Sequence, residues 1–166
     1  MGGMKSTPRI VSAVAVAGVV ICGLFAFAGD TKGDKKEEKK TMLEQNKNTV
    51  TAFYKLAFKD HKPAEAVEKY FGKTYKQHNP TVGDVSKPFI ERYKGFAKAN
   101  PGLRADIKRV IAEGDLVVVH VHIKTSDKDR GLGVIDIFRL EDAKIVEHWD
   151  VKQPVPDKSA NDNTMF

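Results

Sequence analysis

The sequence predicts an α+β domain in which three N-terminal helices pack on a curved antiparallel sheet. Between residues 41 and 100, apolar side chains recur at intervals of three and four, the spacing of an amphipathic helix. From Leu103 onward the interval changes to two, the alternation of a strand with one buried face. Helices that precede a run of hairpin-connected strands are typical of an α+β domain and not of alternating βα units.

Turn and cap residues divide the helical part into three. A break at residues 60–63 ends the first helix, and Pro63 suits the first turn of a short second helix. Gly72 is a suitable stop for that helix, and residues 74–84 are expected to form a loop or a short strand. Ser86 and Pro88 then open a third helix, which ends at Asn100-Pro101-Gly102. The apolar positions that define the helices are Leu43, Val50, Phe53, Tyr54, Phe58, Val67, Phe71, Phe89, Ile90, Tyr93 and Phe96.

Four strands complete the predicted sheet. They cover residues 103–112, 116–124, 132–140 and 144–152, joined by turn residues such as Glu113-Gly114-Asp115. The second and third of these strands carry apolar side chains on both faces, so both faces need to be covered. The helices cover one face, and we expect a second copy of the chain to cover the other, which predicts a homodimer.

The first 28 residues differ in composition from the domain. Lys5 and Arg9 precede an uncharged apolar run that ends in Ala26-Phe27-Ala28, the pattern of a secretory signal peptide cleaved after Ala28. The run is also long enough to cross a bilayer, so an uncleaved membrane anchor is the alternative. Both interpretations predict a protein outside the cytoplasm, either secreted or periplasmic, or anchored to the membrane.

The remaining segments follow from composition. Residues 29–40 are densely charged with both signs and predict a solvated tether, and residues 41–153 form the domain. Pro154 and Pro156 end the sheet, so residues 154–166 are expected to be a loose tail. The only cysteine, Cys22, lies in the leader, so the core has to stabilise the domain without a disulfide.

The positive charge is not evidence for nucleic-acid binding. The net charge is +6, and residues 1–40 contribute half of it. The basic residues of the domain are scattered, without an arginine-rich stripe or an aromatic RNA-binding motif. We therefore expect no nucleic-acid partner, and membrane contact only through the N-terminal segment.

The third predicted strand carries a carboxylate among apolar residues. Asp136 shares a face with Val134, Phe138 and Leu140, and burying it is costly unless it is paired, protonated or used in chemistry. In an apolar site its carboxyl could remain protonated and donate a hydrogen bond to a developing enolate. The structural alternative is an ion pair with Arg139 or with a histidine of a neighbouring strand.

Histidines accompany this carboxylate on neighbouring strands. His120 and His122 share one face of their strand, and His148 shares a face with Asp150. With Asp136 they could form a proton-transfer network in a pocket, a metal site or a satisfied structural cluster. Because a His-x-His pair alone is a weak metal signal, we predict no metal. His78 lies in a turn-rich segment, where it is either a proton acceptor at a cavity mouth or a loop residue bonded to backbone. Trp149 points to the face opposite His148 and is expected to pack or to contact a partner copy.

Four segments of this sequence resemble the NTF2-like superfamily, in particular its SnoaL-like members, described as polyketide-cyclase-like or aldol-condensation-like. The resemblance covers residues 42–153, and the segments are Tyr75-Lys-Gln-His-Asn-Pro80, Val119-His-Val-His122, Val134-Ile-Asp-Ile-Phe-Arg139 and Lys144-Ile-Val-Glu-His-Trp-Asp-Val151. The last two also resemble the C-terminal hairpin of ketosteroid isomerases. The resemblance implies a cone-shaped fold with an internal cavity.

The resemblance also implies roles for individual residues. Asp136 falls where the isomerases keep a protonated carboxylic acid, and His78 falls at or next to their general base. His148 and Asp150 fall on cavity-lining positions of the last strand, and Tyr54 is the nearest counterpart of their oxyanion tyrosine. Substrate contacts are expected from His120, Asp150, Phe138 and Tyr54.

The expected function is therefore an exported small-molecule enzyme of the lyase, isomerase or cyclase type, acting on a hydrophobic carbonyl compound without a cofactor. His78 would take or relay a proton, and Asp136 with His122 or His148 would stabilise the enolate. The alternative is a non-catalytic cone that binds a hydrophobic ligand or acts as a dimeric interaction module. The fold itself accommodates both functions.

Overall fold

The structure of the protein, a computed structural model, describes residues 31–166, with side chains from Gly33 onward. The expected signal peptide or anchor, residues 1–28, lies outside the described residues. Among the residues that are described, no helix is both long and apolar enough to cross a bilayer.

Three helices and one π-helical turn pack against a five-stranded sheet, which confirms the predicted α+β class. The helical elements are α1 (Thr31–Tyr54), the π turn (Lys55–Lys59), α2 (Pro63–Tyr70) and α3 (Ser86–Ala99). The strands are β1 (Phe71–Gln77), β2 (Arg104–Glu113), β3 (Leu116–Lys124), β4 (Leu132–Glu141) and β5 (Lys144–Pro154).

The sheet has the order β1-β5-β4-β3-β2. Strands β2 to β5 form consecutive antiparallel hairpins, as their alternation predicts. Strand β1 is the addition: it pairs in parallel with β5, so the segment after α2 is a strand and Gly72 lies within it. Register shifts interrupt three of the four strand pairs. Such bulges bend a sheet and increase its twist, which lets it curve around the helices.

Aromatic side chains fill the space between the helices and the concave face of the sheet. The ring of Phe53, only 1% exposed, lies 5.3–6.2 Å between centroids from five other aromatic rings. These belong to Tyr54, Phe58, Phe71, Phe89 and Phe138. Beneath them the sheet presents Val117, Val119 and Val121, all with no exposed surface. Edge-to-face and tilted ring pairs of this kind add to the stability that burial gives.

Two segments expected to be irregular have defined positions. Residues 31–40, predicted as a tether, form the first turns of α1, and the helix is continuous across the expected boundary at residue 41. The side chains of residues 33–40 are exposed, as expected of solvated charge. Residues 155–166 have no helix or strand, but Phe166 returns to the convex sheet face and stacks on His122 at 4.0 Å.

The turn between β4 and β5 places two non-glycine residues in the left-handed region. Asp142 and Ala143 have φ values of 49° and 57°. A two-residue hairpin with positive φ at both central positions follows the twist of the strands, and it favours Asn-Gly because alanine is disfavoured there. The β4–β5 pairing therefore holds Ala143 in a backbone conformation that is sterically unfavourable for alanine.

Replacing Ala143 with glycine should stabilise the protein by about 1 kcal/mol, because glycine adopts positive φ without steric cost. Urea unfolding followed by circular dichroism measures the change, with an unchanged dependence on denaturant. The matched control is Ala105→Gly in β2, where glycine weakens an extended strand and should lower stability. Equal destabilisation by both changes would contradict the assigned strain.

Candidate functional site

Asp136 lies on the concave face of the sheet, at the inner end of the aromatic core. Alternation along β4 places it between Val134 and Phe138, and all three are 5% exposed or less. The register pairs it with Asp150 of β5 and pairs Phe138 with His148, so the polar residues of both strands point into the same space. Asp136 therefore faces the helices and not solvent.

The Asp136 carboxylate is hydrogen-bonded through both of its oxygens. Tyr54 donates its hydroxyl to Oδ2, and the Nε2 atom of His148 lies 2.8 Å from Oδ1. Tyr54 is the last residue of α1, immediately before the π turn, and such turns occur frequently at functional sites. The buried acid thus pairs with a histidine of the neighbouring strand, one of the two partners that the sequence suggested.

The hydrogen-bond chain continues from His148 to β1. His148 Nδ1 lies 2.8 Å from Gln77 Oε1, and Gln77 Nε2 donates to the hydroxyl of Tyr75 at 2.8 Å. Tyr54, Asp136, His148, Gln77 and Tyr75 thus form one continuous chain across the end of the core. Every fully buried side-chain nitrogen or oxygen among the described residues has a partner.

Asp150 forms a second polar group next to this chain. Both of its oxygens accept hydrogen bonds from Asn79 Nδ2 at 2.8 Å, and Lys152 Nζ lies 2.8 Å from Oδ2. Asn79 is itself buried, and its own Oδ1 accepts from the backbone N–H and the hydroxyl of Thr81. The loop after β1 is therefore attached to the wall of the site by one amide side chain.

Burial controls the protonation of the tyrosines. Desolvation, followed by the negative charge of Asp136, raises the pKa of Tyr54 well above its ordinary value of 10. Desolvation also raises the pKa values of Tyr75 and Tyr93, with Asp136 and Asp150 adding to the effect. The three phenols remain protonated at neutral pH, and that of Tyr54 donates its hydrogen to Asp136.

Two cavities adjoin the polar residues. The inner one, lined by Tyr54, Tyr75, Asp136, Phe138 and His148 among others, has a volume of about 10 Å³, close to the minimum for one water molecule. The outer one has a volume of about 590 Å³ and lies between α3 and the ends of β3, β4 and β5. Phe58 and Tyr93 line both, and their rings make an edge-to-face contact at 4.9 Å.

One wall of the outer cavity lies next to the polar residues. Lys152 lines it and pairs with Asp150. A ligand in this cavity would therefore contact apolar side chains, chiefly Phe58, Tyr93, Phe96, Leu103, Ile123 and Leu132, with Lys152 as one of its charged groups. Glu91, Arg92 and Asp129 also line the cavity. A mostly apolar pocket of this size is typical of small-molecule sites.

Within residues 31–166, one group of side chains could hold a cation. Ligand atoms of Asp136, His148 and Asp150 lie within 4.8 Å of one another. Each of these residues is already engaged by a neighbour: Tyr54, Gln77, Asn79 or Lys152. Binding an ion would therefore require breaking hydrogen bonds that the fold has already made.

The structure does not bring His78 to this site. Its side chain is on the convex sheet face, where Nε2 lies 2.8 Å from Glu147 Oε1 and the ring stacks on Trp149 at 4.7 Å. Alternation explains the difference: Tyr75, Gln77 and Asn79 point inward, so the intervening Lys76 and His78 point outward. The position of the general base implied by the resemblance is therefore not reached by this histidine.

His120 and His122 also lie on the convex face. His120 Nδ1 accepts from Arg109 at 2.8 Å, His122 lies 2.7 Å from the carbonyl of Arg130, and Phe166 stacks on both rings. Val119 and Val121, between and beside them, are the residues of β3 that face the core. The expected cluster of all these histidines with Asp136 is thus wrong, and only His148 joins the carboxylate.

Of the eight expected site residues, five meet around the inner cavity or beside it: Tyr54, Asp136, Phe138, His148 and Asp150. Sequence reasoning missed Gln77 and Asn79. The signal was available in the Tyr75-Lys-Gln-His-Asn-Pro80 segment, since a strand that buries Tyr75 also turns Gln77 and Asn79 to the same side. The sequence left this segment open as a loop or a short strand, and only the strand has that alternation.

Comparison with known proteins gives the family. The model of the SnoaL-like domain matches residues 50–148, which include Tyr54, β1 and nearly all of the sheet. The chain belongs to the SnoaL-like domain family. A search of curated proteins returned no match.

Several solved structures share the fold. TsrD from Streptomyces laurentii superposes with a TM-score of 0.55 at 19% identity, covering 64% of this chain and 87% of its own. A proposed polyketide cyclase from Bacillus cereus gives 0.55 at 20% identity, covering 63% and 71%. A proposed isomerase of the SnoaL-like family from Agrobacterium tumefaciens gives 0.56 at 12% identity, covering 66% and 98%. At these identities the similarity shows the fold alone.

Alkaline titration tests the burial of the site in this SnoaL-like domain. The chain has four tyrosines, and three of them have raised pKa values. Because a raised pKa in the folded state favours the protonated form, the stability that these phenols contribute is complete below pH 10 and decreases as pH rises above it. Their phenolate absorbance near 295 nm should therefore appear together with unfolding. Phenolate formation by three or more tyrosines with unchanged circular dichroism would contradict the buried chain.

Proposed function

We propose that this SnoaL-like domain is a small-molecule enzyme that transfers protons on a hydrophobic carbonyl compound, as a lyase, isomerase or cyclase. The observation that supports this most directly is the buried hydrogen-bonded group of Tyr54, Asp136 and His148 at the end of an aromatic cavity. An acid, a base and a neutral phenol donor within one dry site are the groups that enolate chemistry requires.

We assign each of these groups a part in the proposed reaction. With His148 as the imidazolium, the Asp136 carboxylate is the base and removes a proton from the carbon next to the substrate carbonyl. The electron pair of that C–H bond forms a C=C bond to the carbonyl carbon, and the π pair of the C=O bond moves onto its oxygen, which becomes the enolate oxygen. Once Asp136 Oδ2 holds the proton, it no longer competes for the Tyr54 hydroxyl, which then donates to the enolate oxygen. Return of the proton to the same or another carbon completes the cycle.

Substrate would occupy the outer cavity and reach the acid between Phe58 and Tyr93. These side chains line both cavities, so rotation of one of them would join the two spaces. The apolar lining indicates a ligand with a hydrophobic body, and Lys152 offers a positive charge to a polar substituent. Several solved relatives are described as proposed polyketide cyclases, and that description supports a polyketide-like substrate class for this chain.

The small inner cavity favours a second candidate, a non-catalytic ligand-binding module. A volume of about 10 Å³ beside Asp136 admits no organic carbonyl group unless the aromatic side chains move. In that case the outer cavity would bind a hydrophobic ligand, and the Tyr54–Asp136–His148 group would only stabilise the core. The two candidates differ in one measurable property. The enzyme exchanges protons of the ligand that it binds, whereas the ligand-binding module binds the ligand without exchange.

Deuterium exchange at carbon tests the enzyme. The full chain is incubated with the bicyclic ketone 2-tetralone in D₂O, and loss of the α-proton signals is followed by NMR. We expect exchange above the buffer rate, and Asp136→Asn and His148→Asn should each lower it by about 100-fold or more, the usual contribution of a general acid or base.

His78→Asn is the matched contrast, because it removes a histidine on the opposite face of the sheet. Exchange should continue in this variant, whereas its loss would make His78 the base and contradict the proposal. Saturation-transfer NMR reports binding of the ketone independently. Binding without exchange would support the ligand-binding module, and exchange that survives Asp136→Asn would exclude Asp136 as the base.

We also propose that the domain forms a homodimer through the convex sheet face. Apolar side chains occupy the middle of this face and remain solvent-accessible, with Ile111 61% and Val151 67% exposed. Val118, Ile135 and Ile137 lie between them and are half-buried. A contiguous apolar surface of this kind on a small domain is typical of a protein interface.

Sedimentation of the full chain, of mass 18.4 kDa, measures its oligomeric state. We expect about twice this mass, and Val151→Lys should weaken association because it places a charge within the apolar face. Val85→Lys is the matched control. Val85 is 58% exposed and lies at the start of α3, away from the convex sheet face. A monomer at all concentrations, or equal weakening by both variants, would exclude this interface.

A further inference from the structure

We propose that Gln77 is a positioning residue that holds His148 as the tautomer with its proton on Nδ1. Gln77 lies in β1 directly opposite His148 of β5, and its side chain reaches the imidazole on the side away from Asp136. Its role in catalysis rests on the proposed function, whereas the tautomer itself follows from hydrogen bonds alone.

The backbone of Asn79 determines the orientation of the Gln77 amide. The Asn79 N–H lies 2.9 Å from Gln77 Oε1, and a backbone N–H can only donate. If the amide were reversed, its NH₂ group would point at the Asn79 N–H. Both groups are donors, so no hydrogen bond could form between them. The oxygen therefore points toward Asn79, and the NH₂ group points toward the Tyr75 hydroxyl, which accepts from it at 2.8 Å.

The same oxygen then determines the protonation of His148. Nδ1 lies 2.8 Å from Gln77 Oε1, which has no hydrogen to donate. Nδ1 must therefore carry a hydrogen and donate it. Nε2, on the other side of the ring, remains the only imidazole nitrogen that can accept or release a proton during the reaction.

A single proton is thus shared between His148 Nε2 and Asp136 Oδ1, which are 2.8 Å apart. In one form the imidazole is neutral and the acid is protonated, and in the other an imidazolium faces a carboxylate. The second form gives the Asp136 base of the proposed reaction. An imidazole with a hydrogen on Nε2 and none on Nδ1, beside the carboxylate, holds one proton fewer: its Nε2–H only donates to Asp136, and no proton remains for this exchange.

Four hydrogen bonds hold Gln77 in place. Its side chain contacts Asn79, His148 and Tyr75, and its backbone N–H donates to Asp84 at 2.8 Å. A second, independent amide, that of Asn79, holds Asp150 in the same wall. Two amides from one short segment therefore orient the histidine and the second carboxylate, while the intervening His78 faces outward.

NMR of the histidine rings tests the tautomer without a substrate. Long-range ¹H–¹⁵N spectra resolve Nδ1 and Nε2 of the five histidines, and His148→Gln identifies the signals of His148. We expect a protonated Nδ1 at neutral pH. Gln77→Leu removes the acceptor for Nδ1–H and should lower the ratio of Nδ1-protonated His148 to His148 protonated on Nε2 alone by about tenfold, the effect of one buried hydrogen bond.

Two further variants separate orientation from general damage. Gln77→Glu keeps an acceptor for Nδ1–H and should restore the original tautomer. Lys76→Leu changes the neighbouring residue of β1, whose side chain is 66% exposed, and should leave the His148 signals unchanged. An unprotonated Nδ1 in the native protein, or the same tautomer in Gln77→Leu as in the native protein, would overturn the proposal.

The exchange assay then tests the catalytic consequence. Gln77→Leu should lower kcat for 2-tetralone exchange by about tenfold with little change in KM, and Gln77→Glu should recover part of the loss. If the native protein shows the Nδ1–H tautomer but no exchange, the proposed enzyme fails while the role of Gln77 in orienting His148 holds. If KM alone changes, Gln77 acts on binding and the positioning role is wrong.

Discussion

The burial of the Asp136 carboxylate is the constraint on which the rest of the site depends. A charged oxygen in an aromatic core is strongly destabilising unless each oxygen finds a donor, and here the two donors come from opposite layers of the fold. Tyr54 reaches Oδ2 from the end of α1, and His148 reaches Oδ1 from β5. The carboxylate therefore links a helix to the sheet, and any movement of either layer changes its hydrogen bonds.

The sequence carried enough information to identify that carboxylate but not to assign its histidines. Alternation placed Asp136 with Val134 and Phe138, and the cost of burying it predicted a partner on a neighbouring strand. Alternation could not say which face of β3 turns inward, because both faces are apolar: Val119 and Val121 on one side, Leu116 and Val118 beside His120 and His122 on the other. The valines are completely buried, so the histidines face outward.

Strand β1 shows the limit of sequence reasoning more clearly. Polar residues, among them Lys73 and Lys76, separate the buried Phe71 from Tyr75 and follow it, so the local pattern fits a loop as well as a short strand. It forms because β5 offers an unpaired edge, and pairing backbone N–H and C=O groups there is worth more than local propensity. That long-range pairing, invisible in the local sequence, is what brings Gln77 to His148 and Asn79 to Asp150. In the segment Tyr75–Pro80 the family resemblance implies a role for His78. The contacts with His148 and Asp150 are instead made by its neighbours Gln77 and Asn79.

The tightness of the inner cavity also has a physical reason. Tyr54, Phe58, Tyr93 and Phe138 exclude water from the acid, and a dry site strengthens each hydrogen bond to Asp136. The same packing closes the space that a substrate carbonyl group would occupy. A ligand entering from the outer cavity would replace the contact between Phe58 and Tyr93 with contacts of its own, so its apolar body would supply the free energy that opens the aromatic pair. A substrate without such a body would not displace the rings. The hydrophobic lining that excludes water from the resting site would thereby select for hydrophobic carbonyl compounds.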